Sequence, residues 1–201
     1  MYSPVQVMPD FLKYLYSRNS DNNSIEYLVN SKGGWEKWLQ LELSNRMRIK
    51  WYTNALEIHM GDHERCDIGI KLKKTFTGSE YLFIELKCQT SVQSYDDVVK
   101  GMKVDIKKLS DNDNDYIQMD YKFVVGFFVV SWLDVPAFSR DWNIGNVVRN
   151  AGLGQNQSLA DSWNRIICGS QIQPKLCEQP TFQGIMCNDG FGIAAICAQV
   201  K

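Results

Sequence analysis

The apolar positions of the chain predict three helices in its N-terminal half. Residues 5–18 have a helical pattern. A second helix of about 15 residues is predicted from Gly34, because its apolar side chains recur at three- and four-residue steps. Residues 93–109 carry a similar stripe, and Ser94 with Asp97 resembles the capping box at which many helices begin.

Strand patterns lie between and after these helices. Short segments at 55–60, 65–73 and 81–88 are predicted to be strands, and a turn around Gly78 is predicted to join the last two as a hairpin. Residues 121–133 are almost continuously apolar, which is typical of a central strand that is covered on both faces.

The order of these elements predicts the fold class. A helix, three strands, a helix and a strand over residues 34–133 indicate a compact α/β core with a mixed central sheet. Weaker patterns predict three further elements: helices near 141–150 and 157–167 and a final strand over 191–200. We expect a single domain over residues 1–201, in which residues 134–201 form a C-terminal extension of unknown role.

The composition narrows the function only slightly. The chain has 201 residues, 44% of them hydrophobic and 22% charged, with a net charge of −1. This balance gives no overall attraction to nucleic acid, so a site for a polyanion has to be a local patch. No apolar run reaches the roughly 18 residues of a membrane span, and we find no secretion signal at the N-terminus. We therefore expect a cytoplasmic protein that has no membrane partner.

The six cysteines allow two interpretations. None of them forms a CxxC pair, and with two histidines in the chain a zinc cluster has little support. Four of the six lie between Cys168 and Cys197. They are either free thiols in a cytosolic protein or part of a C-terminal disulfide in an exported one.

Two charged residues end the most apolar short strand. In Tyr81–Gln89 (YLFIELKCQ), Glu85 and Lys87 share one face, because side chains alternate between the two faces of a strand. In the preceding strand Asp67 is predicted on the face opposite an apolar one. That apolar face is predicted to contain Cys66, Ile68, Ile70 and Leu72. If the two strands pair as a hairpin, Asp67, Glu85 and Lys87 project from the same side of the sheet.

Two carboxylates beside a lysine have a recognisable chemical use. Carboxylate oxygens are natural ligands for Mg²⁺, which keeps several waters for the substrate. The bound ion polarises a phosphodiester and generates hydroxide near neutral pH. A nearby lysine positions the attacking water and offsets charge that builds on phosphorus. The alternative is a solvated hairpin face whose surface ion pair contributes little.

The helix from Gly34 supplies another acidic candidate. The centre of its apolar arc also contains Glu42, and a carboxylate in a core-facing stripe is costly unless it meets a cation, a metal or a donor. Glu42 is therefore the preferred helix acid, and Glu36, at the margin of the arc, is the substitute. A partnership between Glu42 and an Arg or Trp N–H in the core is the structural alternative.

Together these residues resemble the PD-(D/E)XK nuclease superfamily, which includes restriction endonucleases, junction resolvases and repair exonucleases. Its signature is an Asp on one strand and (Asp/Glu)-x-Lys on the next, after a helix that often carries a Glu. The matching positions are Asp67, Glu85-Leu86-Lys87 and Glu42, with Gln89 completing the E-x-K-x-Q ending of some branches. Cys66 stands where the family name has Pro, and the resemblance covers roughly residues 34–133.

The resemblance implies a restriction endonuclease-like core and a Mg²⁺-dependent endonuclease that acts on DNA, with Mn²⁺ as the alternative ion. It implies that Asp67, Glu85 and the backbone carbonyl of Leu86 ligate the ion. Glu42 would hold a second ion or a metal-bound water. Lys87 would orient and help deprotonate the nucleophile, with a smaller contribution from Gln89. It also implies a homodimer, since two cuts on a duplex require two sites.

Other functions stay open at this stage. A nuclease toxin or effector of the same fold would carry the same motif, and a non-catalytic nucleic-acid-binding module would keep the fold without the chemistry. For Gln89, a structural role is the alternative to a catalytic one. The lysines at 100, 103, 107 and 108 form either the solvated face of their helix or a ridge that contacts phosphates.

Overall fold

The protein has a mixed α/β fold, in which a six-stranded sheet carries helices on both faces. The computed structural model describes residues 4–19, 34–50, 53–59, 65–75, 78–90, 93–111, 121–131, 159–170, 175–186 and 191–201. The class agrees with the one that the sequence predicts.

Within the described residues, helices and strands follow the order expected for the first 131 residues, and a short helix and two strands come after them. The helices are α1 (Pro4–Asn19), α2 (Gly34–Lys50), α3 (Tyr95–Asp111) and the short α4 (Leu159–Trp163), which continues into a π-helical turn (Asn164–Cys168). The strands are β1 (Thr53–His59), β2 (Arg65–Thr75), β3 (Gly78–Cys88), β4 (Tyr121–Ser131), β5 (Thr181–Met186) and β6 (Phe191–Val200).

The sheet is mixed, as predicted, and its strand order is β1-β2-β3-β4-β6-β5. The strands β1, β2 and β3 form antiparallel pairs, whereas β3 and β4 run parallel and are connected across the sheet by α3. The strand β6 pairs antiparallel with β4 and with β5. The segment after residue 134 therefore extends the same sheet by two strands.

Alternating side chains divide the core into two layers. Leu82 and Ile84 of β3 lie in the layer beneath α1 and α2, and Phe83 lies in the layer beneath α3 and α4. In β4, Phe123 belongs to the first layer and Val124 to the second. This arrangement confirms that β4 is a central strand covered on both faces.

The start of α3 follows the capping box that the sequence predicts. The backbone N–H of Ser94 donates to the carboxylate of Asp97 at 3.0 Å, and the backbone N–H of Asp97 donates to the hydroxyl oxygen of Ser94 at 3.3 Å. These reciprocal bonds satisfy donors that a helix start leaves unpaired. They fix the first turn of α3 just beyond the end of β3.

Two features differ from the sequence-based expectation. The strand β5 was not predicted, because its six residues include Gly184, which weakens a strand pattern. The expectation that Cys66 shares a face with Ile68 is wrong: Cys66 packs in the layer of α3 and Ile68 in that of α2. Regular alternation needs a regular pleat, and the pairing of β2 with β3 ends at Ile68. The helix predicted near 141–150 lies outside the described residues.

The described cysteines are Cys66, Cys88, Cys168, Cys177 and Cys197, and all five are free thiols. Among the described helices, none is long and apolar enough to cross a membrane.

Gly126 lets α3 pack closely on β4. A Cβ atom at this position would lie 2.4 Å from Sδ of Met102 and 2.8 Å from Cε2 of Phe128. We expect Gly126→Ala to lower the free energy of unfolding by about 1–3 kcal/mol through overpacking, measured by urea denaturation. Val104→Ala on the exposed side of α3 is the control, with a change within about 0.5 kcal/mol. Equal stability of the two variants would contradict the close approach.

Candidate active site

The predicted motif lies at the open end of the β2–β3 hairpin. The ladder between these strands ends at the pair Ile68–Ile84, three residues after β2 begins and four before β3 ends. We call the region beyond this pair, residues 65–67 of β2 and 85–88 of β3, the β2–β3 fork.

Asp67 is fixed from two sides at this fork. Its Oδ2 atom accepts a hydrogen bond from the backbone N–H of Leu86 at 2.8 Å, where a ladder bond would otherwise lie. Its backbone carbonyl accepts a hydrogen bond from the side-chain amide of Gln40 on α2. Asp67 is therefore held by both β3 and α2, beside the E-x-K segment.

Glu85 is buried and forms an ion pair with α3. Its side chain is 4% exposed, and its Oε1 atom lies 2.7 Å from Nζ of Lys108. The same ammonium group donates to the backbone carbonyl of Arg65, at the start of β2. Lys108 therefore joins both strands of the fork to α3.

Lys87 forms a second ion pair with α3. Its Nζ atom lies 3.0 Å from Oδ2 of Asp105, whose side chain is 7% exposed. Lys87 itself remains partly accessible, with 32% of its side chain exposed. The lysine predicted to assist the nucleophile thus reaches solvent at the fork while a buried carboxylate holds its ammonium group.

The helix acid that reaches the fork is Glu36 rather than the preferred Glu42. The carboxylate of Glu36 accepts a hydrogen bond from the backbone of Cys88 and interacts electrostatically with Lys87 and Asp67. Glu42 instead accepts a hydrogen bond from the hydroxyl group of Tyr14 on α1, at 2.8 Å. The structure therefore supports the substitute, because Glu36 shares a helix face with Gln40, four residues later, whereas Glu42 does not.

Gln89 connects backbone segments beside the fork. Its Oε1 atom accepts the backbone N–H of Val129 on β4 at 2.9 Å, and its Nε2 atom donates to the carbonyl of Gln93 at 2.9 Å. The oxygen and the nitrogen of the Gln89 amide thus link β4 to the segment that precedes α3. This geometry favours the structural alternative for Gln89 and gives its catalytic assignment no support.

Burial and neighbouring charges raise the pKa values of three carboxylates at or beside the fork, those of Glu85, Glu36 and Asp105. Burial raises the pKa of Glu85 to about 8, and the carboxylates of Asp67 and Asp105 add to the rise while Lys108 opposes it. Burial likewise raises the pKa of Glu36 and of Asp105, against the lowering effect of Lys87. Burial is the largest cause of each shift, and neighbouring carboxylates add to it.

The pKa values of the two lysines are raised as well, for a different reason. Burial alone would lower the pKa of each ammonium group, but Asp105 raises the pKa of Lys87 and Glu85 raises that of Lys108 above the usual value. Both lysines therefore remain charged at neutral pH.

Sequence reasoning missed Asp105 and the role of Lys108. Asp105 falls within the buried stripe of α3, three residues after Met102 and four before Leu109. The test that singled out Glu42, a carboxylate inside an apolar helical stripe, would have found it. Lys108 gave no such signal, since it belongs to a run of lysines of which most lie on the solvated face of α3.

The donor set matches a hard divalent cation in its chemistry. Glu36, Asp67 and Glu85 supply only oxygen atoms, the ligand type that Mg²⁺ and Mn²⁺ prefer. As the side chains stand, no group of three His, Cys, Asp or Glu residues within the described segments surrounds a position for a metal ion. Glu85 is paired with Lys108 instead.

Comparisons with known proteins assign no family to the chain. No protein-family model, no curated protein and no solved structure matches it. The function is therefore inferred from the geometry and charge of the β2–β3 fork.

The raised pKa of Glu85 predicts how stability depends on pH. Because the folded state holds the proton more tightly than the unfolded state, its contribution is complete below the unfolded pKa and is lost as the pH rises through about 8. We expect the unfolding temperature of the wild type to fall more than that of Glu85→Gln between pH 5 and 9, measured in EDTA. Parallel curves for the two proteins would show that Glu85 titrates normally.

Proposed function

We propose that this protein is a metal-dependent nuclease of the PD-(D/E)XK type that hydrolyses phosphodiester bonds in DNA. One observation carries the proposal: Asp67 of β2 meets Glu85 and Lys87 of β3 at the β2–β3 fork. The order helix, three strands, helix, strand, with β3 and β4 parallel, supports a restriction endonuclease-like core. A homodimer that cuts both strands of a duplex is part of the same proposal.

The charge balance of the fork supports a divalent cation. Four carboxylates and two ammonium groups leave a formal charge of −2 when all are ionised, and their members are Glu36, Asp67, Glu85, Asp105, Lys87 and Lys108. Such a surplus is costly where water is largely excluded. Either protons or a divalent cation can neutralise it. A cation would also supply the positive charge that an approaching phosphodiester requires.

Each residue has a role that its contacts make possible. Asp67 and Glu85 would offer carboxylate oxygens to Mg²⁺ or Mn²⁺, and the Leu86 carbonyl remains the predicted further ligand. Glu36 would take the position first assigned to Glu42. The ion, when bound, would polarise the phosphodiester and activate water. Lys87 would orient that water and stabilise negative charge on phosphorus, since its ammonium group is held at the fork yet remains partly exposed.

A non-catalytic nucleic-acid-binding module is the second candidate. It is favoured by the ion pairs themselves, because Glu85 and Lys87 already have partners on α3 without a metal. In that case the fork would serve only to stabilise the hairpin against α3.

Plasmid cleavage separates the two candidates. We expect the wild type to cut plasmid DNA in the presence of Mg²⁺ or Mn²⁺ and to stop in EDTA. Glu85→Ala and Lys87→Ala should remove activity almost completely while DNA binding persists, because the ligand and the charge that act on the phosphate are lost. DNA binding by the wild type without cleavage in either metal would favour the binding module.

The two acids of α2 form a matched pair for a further test. Glu36→Gln should lower kcat by more than about tenfold, which corresponds to about 1.4 kcal/mol of transition-state stabilisation. Glu42→Gln, six residues later in the same helix, should leave kcat unchanged, because Glu42 contacts Tyr14 instead of the fork. The kcat of each variant is measured by steady-state DNA cleavage at saturating metal. A loss confined to Glu42→Gln would restore the original assignment.

A further inference from the structure

We infer that Gly101 and Asp105 of α3 form a cradle that positions Lys87 for the reaction, so that α3 contributes two positioning residues to the active site. The inference rests on the proposed function for the role of Lys87. The placement of Lys87 itself can be tested without any activity.

Gly101 makes space for the aliphatic part of Lys87. A Cβ atom at position 101 would lie 3.2 Å from Cδ and 3.4 Å from Cε of Lys87. The side chain of Lys87 therefore runs directly over the backbone of α3 at this point. Glycine inside a helix is less favourable than alanine. At position 101 the absence of a side chain leaves the space that the side chain of Lys87 fills.

Asp105 holds the charged end of the same side chain. It follows Gly101 by four residues, so both lie on one face of α3. Its Oδ2 atom lies 3.0 Å from Nζ of Lys87. Asp105 is buried, and within the described residues Lys87 is its direct ion-pair partner. The buried carboxylate of Asp105 thus holds the ammonium group of Lys87, and Gly101 accommodates the adjoining Cδ and Cε atoms.

The position of a reacting group affects the catalytic rate more than it affects the affinity for the substrate. A lysine that orients water or stabilises charge on phosphorus acts only when its ammonium group is in place. Asp105 and Glu36 attract that group from the two helices that flank the fork. Removing one of these attractions leaves a long, flexible side chain with several other rotamers. The expected defect is therefore in kcat, with little change in KM.

The activity test compares Asp105→Asn with Asp111→Asn, an exposed aspartate on the same helix. We expect Asp105→Asn to lower kcat by about 10²-fold at saturating metal, with KM for DNA nearly unchanged. Asp111→Asn should have the activity of the wild type. Gly101→Ala should lower kcat by about tenfold without lowering the unfolding temperature, because alanine favours the helix. Wild-type kcat in both Asp105→Asn and Gly101→Ala would overturn the inference.

A second measurement tests the cradle independently of catalysis. In ¹⁵N-labelled protein, the Nζ signal of Lys87, assigned with Lys87→Arg, should report an ammonium group held in an ion pair. Asp105→Asn and Gly101→Ala should shift or broaden this signal, and Asp111→Asn should not. An unaffected signal in Asp105→Asn would overturn the cradle whatever the activity. The expected shift in a protein that cleaves no DNA would support the cradle and reject the nuclease.

Discussion

The β2–β3 fork and the helices beside it hold more carboxylates than ammonium groups. Glu85 and Asp105 are almost completely buried, yet within the described segments two ammonium groups, those of Lys87 and Lys108, face these acids. Buried negative charge of this kind serves no packing purpose, because apolar residues of similar size would be less costly. Under the proposed function, a divalent cation would neutralise this surplus and, once bound, would attract the phosphodiester.

Two features of the fold bring these charges together: the early end of the β2–β3 ladder and the crossover through α3. The β2–β3 ladder ends early, so Asp67 satisfies the N–H of Leu86 with a side chain rather than a backbone oxygen. The parallel pairing of β3 and β4 requires a crossover, and α3 begins shortly after β3 ends. Asp105 and Lys108 of α3, three residues apart, then form ion pairs with Lys87 and Glu85 of β3, two residues apart.

Much of the fold could be predicted from the sequence because its elements have strong local patterns. The capping box, the alternating strand β3 and the apolar run of β4 each specify their own structure. Long-range geometry was harder to predict. Glu36 and Glu42 both lie on α2, and only the placement of that helix against Asp67 decides which of them reaches the fork. The partners of Lys87 and Glu85 lie in a helix whose docking the sequence does not reveal.

A crystal structure of the protein with Mn²⁺, in which anomalous scattering locates the ion, tests the proposed metal site most directly. We expect a peak between the carboxylates of Asp67 and Glu85, with Lys108 moved away from Glu85. A structure at saturating Mn²⁺ in which Lys108 still pairs with Glu85 and no ion lies at the fork would contradict this site.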